Sequence, residues 1–347
     1  MSSFAYPGAI HIHTTYSDGT GTFPEVIAAA RAAGLRWILV TDHDTLEGAP
    51  FAGWHDELLV IVGHEITPDR NHFLALNVNE VVSNSHAPQD YVDEVYARGG
   101  FGIIAHPDER VANAHKQIYR WDDWTVDGPR NREGRVVGIE LWNIMSDWGE
   151  NLTELNKLAH VLNPRLGIGG PTPATLAWWD RLNMLGRRTF GIGGVDVHAF
   201  KAKAPWGEAV IFPYQWMFGT LTNYLRLDQP LHEDAQQATD QVYAALTGGR
   251  SYFVNRLDGD APTIIFNACR GDEHYSIGDT IRLEQRPLLI EADVGADAYI
   301  RLIADGEVLT SAVRRLRQTI DRTGVYRLEA YWGGKAWLFA NPIYVNE

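Results

Sequence analysis

Nine His, Asp and Glu residues stand at the ends of apolar runs in this chain, and that recurrence constrains the fold more than any other feature. His11 and His13 fall in AIHIHTTYSDG, with Asp18 in the same loop. His43 follows in WILVTDHD, Glu65 in LLVIVGHE and His72 in NHFLALNV. His106 closes FGIIAHP, and Asp196 and His198 close FGIGGVDVH. Several runs are apolar at every position, as strands buried in a parallel sheet must be. All nine residues lie at or just after the end of such a run except His72, which opens one.

The runs alternate with helical stretches. Strands are expected over residues 9–12, 37–41, 58–62, 73–78, 102–105, 136–141, 189–195 and 208–212. Helices are expected over 24–33, 89–98, 152–162, 174–185 and 234–246; the first opens with Pro24 and stops before Gly34, the usual asymmetry of helix ends. Repeated strand–loop–helix units predict an α/β barrel with its chemistry at the C-terminal ends of the strands. Residues 108–135 break the rhythm with Trp121, Trp124 and the Gly128-Pro129 pair, and read as a long loop over the site. From about Ala261 the pattern becomes short strands (263–267, 287–292, 298–303, 325–331 and 337–339) separated by Gly, Asp and Asn turns, the pattern of a small β-sandwich. Two domains are therefore expected, 1–260 and 261–347, a division that suits 347 residues.

Charge and composition narrow the partners. A net charge of −14 disfavours nucleic acid and anionic membrane surfaces, which want a basic face. It leaves anionic small molecules open, because bound metal ions invert the local field. The single cysteine, Cys269, rules out an intrachain disulfide framework. The N-terminal MSSFAYPGAI has no basic and apolar leader, and no apolar run is long enough to span a bilayer, so a cytoplasmic protein is expected. A homo-oligomer stays open.

His, Asp and Glu are ligands for zinc, manganese or iron. Residues two apart on a strand share a face, so His11 and His13, and again Asp196 and His198, can each serve one ion together. Glu65 can bridge two ions. Asp18 also fits an ordinary Asx turn. Asp42 and Asp44 flank His43 and can orient its ring. His64 points to the face opposite Glu65 and reads as structural. Glu140, at the end of VVGIEL, fits a supporting base or a buried ion-pair partner better than a ligand. His55, His86, His115, His160, His232 and His274 lack this strand-end context.

The order His-x-His, Ser-Asp-Gly, Thr-Asp-His-Asp, Gly-x-Glu, His, Ala-His-Pro and Asp-x-His resembles the PHP (polymerase and histidinol phosphatase) superfamily over about residues 8–200. The resemblance implies a distorted (β/α)7 barrel and a trinuclear metal centre. One metal would be held by His11, His13, Glu65 and Asp196, and a second would share Glu65 and add His72 and His106. The third would take Asp18, His43 and His198. The tail, with Gly324, Tyr326, Arg327 and Ala-Asn-Pro-Ile-Tyr-Val at 340–345, is similar to that of the carbaryl-hydrolase-like branch.

The expected function is a metal-dependent hydrolase carrying two to three divalent ions (Mn, Zn or Fe). A phosphoesterase of a small organic or nucleotide-like phosphate comes first, with a metal-bridging hydroxide attacking phosphorus, Glu65 in the catalytic machinery and Asp42 or a metal-bound water as the candidate acid. The alternative is a carbamate, amide or carboxyl-ester hydrolase at the same centre. Arg110, Lys116, Arg130, Lys201 or Lys203 aimed at the ions would favour the first. A slot built from Trp142, Trp148, Trp178, Trp179 or Trp206 would favour the second, although core and rim packing is the plainer use of those tryptophans.

Overall fold

In the computed structural model of the chain, the structure describes residues 4–109, 121, 126–131, 135–204, 207–284 and 286–347. Four expected helices are present within one residue of their expected ends, at Phe23–Ala32, Pro88–Ala97, Pro173–Met184 and Ala235–Thr247. Local chemistry sets those ends. Glu25 accepts from the Thr22 amide at 2.8 Å, Thr172 accepts from the Thr175 amide at 3.1 Å, and Asp234 accepts from the Gln237 amide at 2.9 Å, each satisfying a first-turn donor. The helix expected over 152–162 is shorter, Lys157–Leu162, and is preceded by an unexpected one at Ile144–Glu150. Between them Asn156 bonds both the Thr153 amide (2.7 Å) and the Asn151 carbonyl (2.9 Å), the side-chain competition with helix that Asn and Thr favour.

The strands form an α/β framework with a β-rich C-terminal region, in place of one closed (β/α)7 barrel. Phe4–Ile10, Trp37–Val40 and Leu58–Val62 run parallel in an eleven-stranded sheet. His64–Ile66, Phe73–Leu76, Phe101–Ile104, Gly138–Asn143 and Phe190–Gly194 form a second sheet of five strands. The two sheets are joined through isolated parallel bridges at Ile12–Val197 and His43–Glu65. Phe73–Leu76 runs antiparallel to both neighbours. The six-residue connection from Ile66 to Phe73 is too short for a parallel crossover. The run expected at 208–212 is found at Gly207–Val210, where it forms a hairpin with Lys201–Ala204 outside both large sheets.

Two antiparallel strands not expected from the sequence, Leu221–Leu227 and Ser251–Asn255, link Phe4–Ile10 to the C-terminal strand Lys335–Asn346. The C-terminal region is thus two-layered. A four-stranded sheet faces the far end of the eleven-stranded one, with Phe266, Ile290, Leu302, Leu328 and Trp337 buried between them. Side-chain amides complete the outer edge of Phe190–Gly194. Asn341 accepts from the Gly191 amide at 2.7 Å and donates to its carbonyl at 3.0 Å. Asn223 does the same for Gly193, at 3.0 and 2.6 Å. They stand where a neighbouring strand would otherwise satisfy those backbone groups. No helix among the described residues is long and apolar enough to cross a membrane.

Candidate metal centre

All nine strand-end residues converge in one basin. Among the described residues their ligand atoms form four overlapping groups: His13, Asp18, His43 and His198; His11, His13 and Glu65; His11, His106 and Asp196; and Glu65, His72 and His106. Convergence depends on more than strand alternation. The first strand ends at Ile10, and His11 turns into the left-handed region at φ 71°. His106 and Asp196 do likewise, at φ 25° and 51°. Non-glycine residues rarely adopt this conformation, which costs of order 1–3 kcal/mol and concentrates at functional sites. Here it re-aims three side chains into the basin.

Glu65 is fully buried at the middle and divides its oxygens. Oε2 lies 3.2 Å from His11 Nε2, 3.5 Å from His13 Nε2 and 3.0 Å from His43 Nδ1. Oε1 lies 2.9 Å from His72 Nδ1 and 3.3 Å from His106 Nε2. Asp196 Oδ1 faces His11 (3.4 Å) and His13 (3.2 Å). At the open side Asp18 Oδ1 lies 3.4 Å from His43 Nε2 and 3.2 Å from His198 Nε2. Gly19 lets this loop lie on the His13 backbone, where an added Cβ would sit 2.5 Å from the His13 carbonyl carbon.

Supporting contacts choose which ring nitrogen faces the basin. His11 Nδ1 is 2.8 Å from Glu140 Oε1, His72 Nε2 is 2.9 Å from the Pro68 carbonyl, and His198 Nδ1 is 3.0 Å from the Asp196 carbonyl. The Thr67 hydroxyl donates to the Glu65 carbonyl (3.1 Å) and lies 2.7 Å from His43 Nδ1, so His43 Nε2 is left for an ion. Asp44 orients His43 indirectly, accepting from the Thr67 amide (3.2 Å) and from Asn84 (2.7 Å).

Asp42, a candidate acid from sequence, has both carboxylate oxygens occupied by the neighbouring loop. It is buried, and it accepts from the Thr14 amide (2.6 Å), the Thr14 hydroxyl (2.7 Å) and the Ser17 hydroxyl (2.6 Å). Those three donors make the carboxylate the anchor of the loop that carries Asp18.

The electrostatics fit divalent ions. Burial opposes charge on His43, yet Glu65 and Asp18 raise it to about 10. Burial likewise opposes charge on His106, and Glu65 and Glu109 raise it to about 9. Burial would raise Glu65, but His11, His72 and His43 hold it well below the usual carboxylate range. The carboxylates thus demand positive charge, and protons on the rings supply it when no ion is bound. His13 is the exception. Burial, His198 and His43 push it down to about 3, against the pull of Asp196 and Glu65. A buried neutral imidazole among carboxylates is what a metal ligand looks like before the ion is added.

The remaining expectations sort by geometry. His64 Nε2 accepts from the Val82 amide at 3.1 Å, so that ring braces the 78–85 loop. Arg130 pairs with Asp90 and Asp93, and Lys201 is exposed. Arg110, Lys116, His115, Trp124, Trp206, most of the expected loop over the site and the Lys203 side chain lie outside the described residues. Trp178 and Trp179 are core residues, and Trp148 packs edge-on to Phe212. Trp142 differs. With His106, Glu140, Asn143, Asp147 and Glu150 it lines a cavity of about 210 Å³ beside the centre. Thr67 and Asn143 were not picked out from sequence, since a lone Thr or Asn carries no signal until its distant partners are placed.

The chain is 26% identical to an uncharacterised protein of Methanocaldococcus jannaschii over 158 residues, 40% of this chain and 91% of that one. It shows a distant likeness, at 14% identity and a TM-score of 0.45, to a two-domain protein of Bacteroides vulgatus that contains a predicted PHP-like metal-dependent phosphoesterase, covering 98% of this chain and 95% of that one. A metal-dependent phosphoesterase candidate from Bifidobacterium adolescentis is more distant, with 15% identity, a TM-score of 0.31, and 55% and 87% of the two chains covered. Residues 9–98 match the PHP domain family. That segment carries His11, His13, Asp18, His43, Glu65 and His72, six of the nine residues gathered in the basin.

Proposed function

We propose that this chain is a phosphoesterase of a small organic or nucleotide-like phosphate, working in the cytoplasm with two to three divalent ions, manganese, zinc or iron. The observation that carries the reading is the division of Glu65, with one oxygen toward His11 and His13 and the other toward His72 and His106. A buried carboxylate so placed is suited to bridging two ions. On this reading His11, His13 and Asp196 complete one position and His72 and His106 the second. Asp18, His43 and His198 hold a third. Bound divalent ions would supply an activated water and offset charge on the phosphoryl oxygens.

The chain's own residues set the conditions for that chemistry. Asp18, Glu65 and Asp196 cannot neutralise three divalent ions, so the loaded basin stays positive and selects an anionic substrate despite the acidic chain. Glu140, Thr67 and the Pro68 carbonyl fix ring orientations before substrate arrives. The cavity beside His106 is smaller than the roughly 300 Å³ at which whole-ligand sites begin, so it suits one substituent of the substrate. Trp142 in its wall favours the second reading, in which a carbamate, amide or ester carbonyl takes the place of phosphorus.

A hydrolysis panel separates the two. Protein loaded with Mn²⁺, Zn²⁺ or Fe²⁺ is offered an aryl monophosphate, an aryl phosphodiester and an aryl methylcarbamate, with His106→Ala as control. Phosphate ester cleavage that disappears in the variant is the expected outcome. Carbamate cleavage with both phosphates intact would overturn the phosphoesterase reading.

A further inference from the structure

Asn143 binds the metal basin to the helix that walls the neighbouring cavity. It ends the strand Gly138–Asn143 and caps the helix Ile144–Glu150, accepting from the Ser146 amide at 2.9 Å through Oδ1. That bond settles which way the amide points. Nδ2 is left facing two carboxylates, 2.9 Å from Glu140 Oε2 and 3.2 Å from Asp196 Oδ2. The flipped amide would set an oxygen against both anions and a nitrogen against the Ser146 donor. The orientation is therefore fixed, and Asn143 is only 5% exposed.

Glu140 completes the unit. It is 1% exposed, its Oε1 lies 2.8 Å from His11 Nδ1, and its Oε2 also accepts from the His106 amide at 2.7 Å. Two adjoining side chains thus hold a ring, a backbone turn and a carboxylate that belong to three different ligands. His11, His106 and Asp196 are also the three ligands in left-handed backbone conformation. Such conformations persist only where surrounding contacts over-determine them. Gly194 shows how tightly the space is held, because a Cβ there would fall 1.6 Å from Glu140 Oε1.

We propose that Asn143, acting with Glu140, is the positioning residue that sets His11, His106 and Asp196 in ligand geometry before an ion binds. Asn143 does not touch the ions itself. It directs Asp196 Oδ1 into the basin by holding Oδ2, and it holds Glu140 against His11. The inference rests on the metal centre alone and holds whether phosphorus or a carbonyl is attacked.

The test separates capping from positioning. Asn143→Ser keeps an N-cap hydroxyl for the helix but is too short to reach Glu140 and Asp196. Mn²⁺ affinity is measured by competition with a chromogenic chelator, beside the thermal melt of the metal-free protein. The expected result is a roughly 10–100-fold weaker affinity with the melt little changed. Glu140→Gln is expected to weaken affinity by a similar factor, and the double variant by less than the product of the two, because the residues act as one unit. Affinity within about threefold of wild type in folded Asn143→Ser, or a lowered melt with affinity unmoved, overturns the proposal. Should Asn143→Ser not fold, wild-type affinity in Glu140→Gln overturns it equally. No substrate is needed, so failure here is distinct from failure of the phosphoesterase reading.

Discussion

Replacing Asp42 with alanine is expected to loosen the metal centre from behind without touching a ligand. The side chain is 3% exposed and accepts three hydrogen bonds of 2.6–2.7 Å from Thr14 and Ser17. Its removal strands the Thr14 amide and hydroxyl, both on a fully buried residue, at roughly 1–3 kcal/mol each. The half-buried Ser17 can turn to water. The metal-free protein should therefore lose about 2–6 kcal/mol, a large share of a typical folding stability. Asp42→Asn keeps one acceptor oxygen and should lose about half as much. Because the 14–19 turn carries Asp18, the ion position shared with His43 and His198 should empty first. The assay is a denaturant melt of metal-free protein, followed by bound Mn²⁺ at graded free concentrations. Asp42→Asn with an unaltered melt and full metal content, yet without activity, would contradict the anchoring role and point to Asp42 as the acid.

Three further outcomes follow from named contacts. Gly194→Ala drives a Cβ into Glu140 and should cost about 1–3 kcal/mol together with metal affinity; equilibrium dialysis showing wild-type metal content contradicts this. Arg327 lies between Asp180 (2.5 and 2.7 Å) and Glu329 (2.5 Å), so Arg327→Met leaves two buried carboxylates unpaired and should destabilise by about 3–5 kcal/mol, read by denaturant melts, while bound metal stays unchanged. His43 and His106, raised to about 10 and about 9, carry protons at pH 7 in the ion-free protein and must lose them to ligate. Metal loading should therefore release protons, and apparent affinity should rise with pH up to about those values; calorimetry at pH 7 in buffers of differing ionisation heat should reveal the release, and equal heats would contradict it.

Much of the site could be read from the chain because each ligand sits in a local signature. His-x-His at 11–13, Asp-x-His at 196–198 and the lone carboxylate after LLVIVGH announce themselves within a few residues. What escaped is non-local. Thr67, Asn143, Asn223 and Asn341 do their work through partners up to 150 residues away, and no spacing encodes that. Asp42 stands beside His43 and fits a catalytic group in sequence; its three donors, which show that it also anchors the 14–19 loop, carry no such local signal. Strand direction was equally hidden, since FLAL at 73–76 would look the same in either orientation. The strands Leu221–Leu227 and Ser251–Asn255 interleave Thr, Asn, Arg and Ser with apolar residues, a weaker signal than the all-apolar runs. These strands, together with the amides that pin Gly191 and Gly193, tie the C-terminal region to the strand that leads to Asp196 and His198.

The most direct measurement is phosphate release from an aryl monophosphate followed against bound Mn²⁺ during titration of metal-free protein. Release is expected to begin only as the positions sharing Glu65 fill, and Glu65→Gln to abolish both the coupled filling and the release. Full metal loading with the phosphate ester intact, while a carbamate is cleaved, would contradict this expectation.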